Sequence, residues 1–143
     1  VVTGLPAGLG APDFDRNAET IFARQLFAIP AIKGLEFGSG FALATMRGSQ
    51  ANDPWRRGPQ GPVTDTNHNG GILGGITTGM PVVFQVAIKP TPSIARPQKT
   101  IHMLTGEETE IEIKGRHDPC IVHRAVPVIE AAAALAACQL MGV

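Results

Sequence analysis

Apolar residues return at helical spacing between Ala18 and Ala28, where Ile21, Phe22 and Leu26 fall on one face. Asp15 or Asn17 is placed to cap this helix, and Pro30 ends it. The next run, Ile32 to Phe37 (IKGLEF), alternates well enough for a strand. Phe41 to Met46 is apolar but too short to assign. Arg47 to Asn69 is the least periodic stretch and reads as a long loop, functional or simply exposed. Gly71 to Lys89 predicts a hairpin: GILGGIT, a turn at Thr78-Gly79, then PVVFQVAIK, rich in β-branched residues. Three prolines keep Lys89 to Pro97 irregular.

Thr100 to Leu104 and Thr109 to Lys114 form a second expected hairpin around Gly106, with Ile111 and Ile113 on one side and Glu110 and Glu112 on the other. Arg124 to Leu140 closes the chain as an alanine-rich helix, with Pro127 placed in its first turn. Almost no charge follows Glu130, so this helix is expected to be buried on most sides. The order predicts an α+β fold: antiparallel hairpins packed with helices, in one domain spanning 1–143.

Composition narrows the function classes. Twelve basic and 12 acidic residues cancel, which argues against a nucleic-acid partner. Cys120 and Cys138 make no disulfide framework, so a reduced, cytoplasmic setting is expected, with Cys120 buried. No basic-then-apolar leader opens the chain. Ala125 to Leu140, the best apolar stretch, carries Pro127, Glu130 and Gln139 and is read as too short to span a membrane. With 17 glycines and 12 prolines, much of the chemistry is expected from shaped loops.

Three loops stand out. NHNGGILGG (Asn67 to Gly75) has clustered glycines whose backbone can approach a ligand, although they also suit tight strand packing. It is neither a Walker loop nor the dinucleotide fingerprint. KPTPS (Lys89 to Ser93) offers an ammonium, two hydroxyls and a stiff backbone at a strand end, or else a plain rigid turn. KGRHDPCIVHR (Lys114 to Arg124) packs Lys114, Arg116, His117, Asp118, His123 and Arg124 between a strand and a helix. Asp118 is equally placed to cap a turn. His117 and His123 lack a companion set at ligand spacing, so no metal is expected. Together the loops imply a domain that takes an anionic, phosphorylated ligand.

The strings themselves are more specific. GRHDPCIVHRAVPVIEA closely resembles the C-terminal signature of chorismate synthases, and NHNGGILGGITTGMPVVF with AIKPTPSI resembles another recognisable stretch of that family. GLGAPDFD, AIPAIKGLEFGSGF and GSQANDP follow the family's order, so the likeness runs from about Gly8 to Leu140. The resemblance implies the C-terminal part of a β-α-β sandwich and a homotetrameric parent. It implies a lyase that uses reduced FMN to eliminate phosphate from 5-enolpyruvylshikimate 3-phosphate, giving chorismate for aromatic amino-acid biosynthesis. NADPH would enter only indirectly, to reduce the flavin.

By matching position, Pro30, Ala31 and Gly74 lie where the family approaches FMN. Lys89, Pro90, Thr91, Pro92 and Ser93 match the flavin-binding loop, Arg116 the arginine beside flavin and substrate, and Asp118 a proton relay. Arg116, two residues away, is expected to favour the carboxylate form of Asp118. The family is much longer than this chain. The two histidines proposed as acids, and most substrate-binding arginines, belong to the part that is not here. His68, His102, His117 and His123 do not replace them, so this chain alone is expected to be inactive. The competing reading is a non-catalytic flavin- or phosphate-binding module, or an assembly module.

Overall fold

A computed structural model describes residues 1–59 and 61–143. Helix α1 (Ala18–Phe27) starts as its sequence dictates. The Asn17 side chain accepts from the backbone N–H of Thr20 at 3.2 Å, relieving one donor that the first turn cannot satisfy. Its buried face is Ala18, Ile21, Phe22 and Leu26. Strand β1 (Ile32–Phe37) follows, then a 3-10 helix over Gly40–Thr45, the segment whose state the sequence left open.

The long stretch from Arg47 to Asn69 is more ordered than a loop. It holds a short helix α2 (Gly48–Ala51) and the strands β2 (Trp55–Gly58) and β3 (Gly61–Thr64), which pair antiparallel. Gln60, between them, lies outside the described residues. Four-residue strands carry too few alternations to register as a period.

The expected Gly71–Lys89 hairpin is replaced by two separate pairings. β4 (Ile72–Leu73) turns straight back into β5 (Ile76–Thr77) through Gly74 and Gly75, both at positive φ. The apolar arm that follows, β6 (Phe84–Ile88), pairs antiparallel with β1, from Ile32↔Ile88 to Phe37↔Phe84. This register puts Leu35 and Phe37 beside Val86 and Phe84, all partly buried against the core. The rings of Phe22, Phe37 and Phe84 meet with centroids 6.2–6.4 Å apart. Aromatic clustering thus fixes α1 on the β1–β6 ribbon.

The second hairpin forms around its expected turn, with Gly106 at φ +74°, but its arms β7 (Gln98–Ile101) and β8 (Glu108–Ile111) end short of the expected Leu104 and Lys114. Helix α3 (Val122–Met141) is longer than its apolar pattern indicated. Pro127 therefore lies beyond the first turn, where its missing N–H leaves the His123 carbonyl without its helical donor. Gly142, at φ +75°, closes the helix with its N–H directed at the Cys138 and Gln139 carbonyls.

Burial on most sides is not what α3 shows. Ala132, Ala133, Ala136 and Ala137 are buried, whereas Val126, Val128 and Leu135 are exposed. Methyl side chains let α3 approach α1 closely along one face, and Ile129 and Leu140 pack partly against the same core. At 20 residues the helix is also long and apolar enough, by length and composition, to cross a membrane, so the reading that it is too short is corrected. The result is α+β, but its strands form four two-stranded ribbons among the described residues, not a single sheet.

Candidate functional site

The β1–β6 ribbon organises the site by its two ends. At the end where β1 begins, the tight turn after α1 carries Pro30 and Ala31. Ala31 has φ +72°, a conformation that costs a residue with a Cβ. Its carbonyl accepts the backbone N–H of Lys89 at 2.8 Å, so the loop Lys89–Ser93 leaves β6 beside Pro30–Ala31.

That loop then meets the segment before α3. Thr91, Ser93, Arg116, His117, Asp118 and Arg124 line one cleft of about 460 Å³. His117 sits between the two segments. Its Nδ1 is 3.0 Å from the Ser93 hydroxyl, and its Nε2 is 3.0 Å from the Ile113 carbonyl oxygen. The Thr91 hydroxyl is shielded from solvent and has no hydrogen-bond partner among the described residues. A buried hydroxyl without a partner costs free energy, so Thr91 is a strained point in the wall of this cleft.

Two expectations about side chains here are corrected. The ion pair to Asp118 comes from Arg124, Nη1 to Oδ2 at 3.2 Å, not from Arg116. The first turn of α3 brings Arg124 back to the Asp118-Pro119 turn. Arg116 keeps its guanidinium exposed at the cleft. Cys120 is likewise exposed rather than buried. No group of three or more His, Cys, Asp and Glu side chains comes together among the described residues.

Gly74 lies elsewhere. It sits in the β4–β5 turn, next to Gly75, whose carbonyl accepts the N–H of Ala18 at the start of α1. Pro30 follows the other end of that helix. The chain therefore brings Thr91 and Ser93 together with Arg116 and Asp118, ties Ala31 to Lys89 at the loop's start, and holds Gly74 at the other end of α1.

The glycine-rich loop has its own frame, which sequence reasoning missed. Asp53 accepts from the Thr66 hydroxyl and the His68 N–H through Oδ1, both at 2.7 Å. Through Oδ2 it accepts from the N–H and side-chain amide of Asn69, both at 2.8 Å. Burial pushes the Asp53 carboxyl up, but the hydrogen bonds from Asn69, Thr66 and His68 outweigh it and hold the group below the usual carboxylate range. The His68 ring accepts or donates at Ser39 Oγ, 2.8 Å from Nδ1, and Gly38 closes on Gly70 and the His68 carbonyl too tightly to admit a Cβ. An aspartate ahead of a polar, glycine-rich turn is the one signal in the sequence that could have pointed to this frame.

These features define an α+β chain whose loops build a cleft of hydroxyls, guanidinium groups and a carboxylate, a chemistry suited to a phosphorylated or polar-ring ligand. The family model for chorismate synthase matches residues 1–141, and the chain belongs to that family. It is 53% identical over 131 residues to the chorismate synthase of Thermococcus gammatolerans, covering 92% of this chain and 36% of that protein. With the chorismate synthase of Methanocella arvoryzae the identity is 56% over 135 residues, covering 94% and 36%. A crystal structure of chorismate synthase superposes with a TM-score of 0.75 at 31% identity, covering 96% of this chain and 34% of the other. The chain thus spans about a third of the length of the relatives it matches.

Proposed function

We propose that this chain supplies part of the catalytic pocket of a chorismate synthase, a lyase that removes phosphate and a proton from 5-enolpyruvylshikimate 3-phosphate in the presence of reduced FMN. The observation that carries the reading is the shared cleft. Two loops more than twenty residues apart place Thr91, Ser93, Arg116 and Asp118 around one cavity, with the Thr91 hydroxyl left unpaired.

These residues fit a flavin and a phosphorylated substrate. Thr91 and Ser93 put two hydroxyl-bearing side chains on the wall that a polar ligand would meet. Arg116, outside the ion pair, offers its planar donor fork to a phosphate or to a ring oxygen. Lys89 is exposed at the loop's start and adds a positive charge that favours an anion. Asp118 stays close to Arg124 and is placed to hold or pass a proton at its carboxylate. Reduced flavin supplies electron density to the substrate when bound, with no net redox change. NADPH serves only to regenerate the reduced flavin. A cytoplasmic homotetramer completes the assignment.

The third of the family's length present here does not include the histidine acids that the family resemblance places elsewhere, so this chain alone is inactive in the proposal. The test is anaerobic chorismate formation from the phosphorylated substrate and reduced FMN, with the full gene product and this chain assayed side by side. Turnover by the gene product alone supports the proposal. Turnover by the chain alone refutes the division of labour. Inactivity of both, with folded protein and flavin present, favours a binding or assembly module.

A further inference from the structure

The cleft contains one titratable ring that the proposed reaction does not use. His117 is half-buried, and both of its ring nitrogens are engaged. The Ile113 carbonyl can only accept, so Nε2 carries the hydrogen in that contact. A neutral ring then has a lone pair at Nδ1, and the Ser93 hydroxyl, at 3.0 Å, donates to it. The hydroxyl proton of Ser93 is thereby committed, and its oxygen is left to face the cleft as an acceptor.

No backbone hydrogen bond among the described residues joins the segments 89–97 and 113–121. Both are irregular, and the β7–β8 hairpin, which closes at Gln98↔Ile111, brings only their near ends together. Farther along, the imidazole links Ser93 to the segment before α3. We infer that His117, held as the Nε2–H tautomer between Ile113 and Ser93, is a positioning residue. It sets the Thr91–Ser93 loop against Arg116 and Asp118 and fixes the polarity that Ser93 presents to the ligand. The inference rests on the flavin reading for what the cleft binds, but not for the clasp itself.

Two measurements on the full gene product separate these. The first is the tautomeric state of His117, read by ¹⁵N-resolved NMR of the imidazole near pH 8. The Nε2–H form is expected; an Nδ1–H ring, or one averaging between tautomers, overturns the clasp whatever the protein binds. The second is FMN affinity in a mutant cycle. His117→Leu keeps the bulk and removes both hydrogen bonds, and is expected to weaken binding about tenfold, the scale of coupling between directly bonded groups. In a Ser93→Ala background the same change is expected to lose at least half of that effect. His117→Asn, whose amide oxygen can stand where Nδ1 stands, is expected to recover most of the affinity. Additive losses, or no loss with Leu, would show that His117 only fills space. Absence of FMN binding by the unsubstituted protein would sink the flavin reading, and the clasp would then stand or fall on the tautomer.

Discussion

Asp53→Asn removes one charge and alters almost no volume, so its effect isolates the hydrogen bonds that frame the glycine-rich loop. Wild-type Asp53 accepts four, two at each oxygen. An asparagine offers one acceptor oxygen and one amide donor. If the oxygen stays with Asn69, the amide confronts the His68 N–H; the Thr66 hydroxyl can turn to accept. In the opposite orientation both Asn69 donors are opposed. The milder arrangement still strands one backbone N–H and weakens the remaining bonds by removing their charge. Stranded buried donors cost about 1–3 kcal/mol, and the half-exposed setting lets water recover some of this, so about 2 kcal/mol is expected at pH 7. Hydrogen exchange at the amides of His68 and Asn69 is the direct assay. Protection there should fall roughly 30-fold, since each 1.4 kcal/mol is a factor of ten. The sign with pH follows from the depressed carboxyl. Its stabilisation is present above the ordinary carboxylate pKa and is lost as pH falls through the lower folded value, where the protonated acid resembles the amide. The gap between wild type and variant must therefore close on acidification. Equal protection at pH 7, or a gap independent of pH, would refute the account.

Other substitutions probe the frame around the site. Gly75→Ala places a Cβ 2.5 Å from the Ala11 carbonyl oxygen and the Asn17 side chain at φ +83°, and should lower stability by about 2–3 kcal/mol in thermal unfolding because it also disturbs the α1 cap. Ala31→Gly relieves positive φ at the turn between α1 and β1; the relief offsets the added chain entropy, so a melting temperature within about 2 °C of wild type, or higher, is expected. Phe22→Ala empties the centre of the aromatic cluster and should cost about 3–5 kcal/mol in denaturant unfolding. Arg124→Ala removes an exposed ion pair, so stability should change by no more than about 1 kcal/mol while FMN affinity falls, measured by fluorescence titration.

Local signals carried the elements that sequence alone revealed. Asn17 before an amphipathic stretch gave α1, alternation gave β1, and Gly106 between charged and apolar alternations gave the β7–β8 hairpin. What failed was pairing at a distance. The PVVFQVAIK arm alternates just as a local hairpin would, and nothing in that pattern says its partner is β1 rather than the preceding glycines. The alanines of α3 are equally uninformative, because a methyl group suits a buried or an exposed helical face. For the site, the residue types were visible but their grouping was not. The ion pair of Asp118 with Arg124, the His117 contacts and the separation of Gly74 from the cleft all arise from tertiary placement.

The β1–β6 ribbon also sets a timetable. β2–β3, β4–β5 and β7–β8 each close over a short turn, and isolated hairpins form in about 1–10 μs. Pairing β1 with β6 must instead close a loop of roughly fifty residues, with a conformational entropy cost that short turns avoid. The hydrogen bond from Lys89 to Ala31 lies at the end of that pairing. The loop that carries Thr91 and Ser93 is thus anchored to the Pro30–Ala31 turn only when this long-range pairing closes, after the local hairpins.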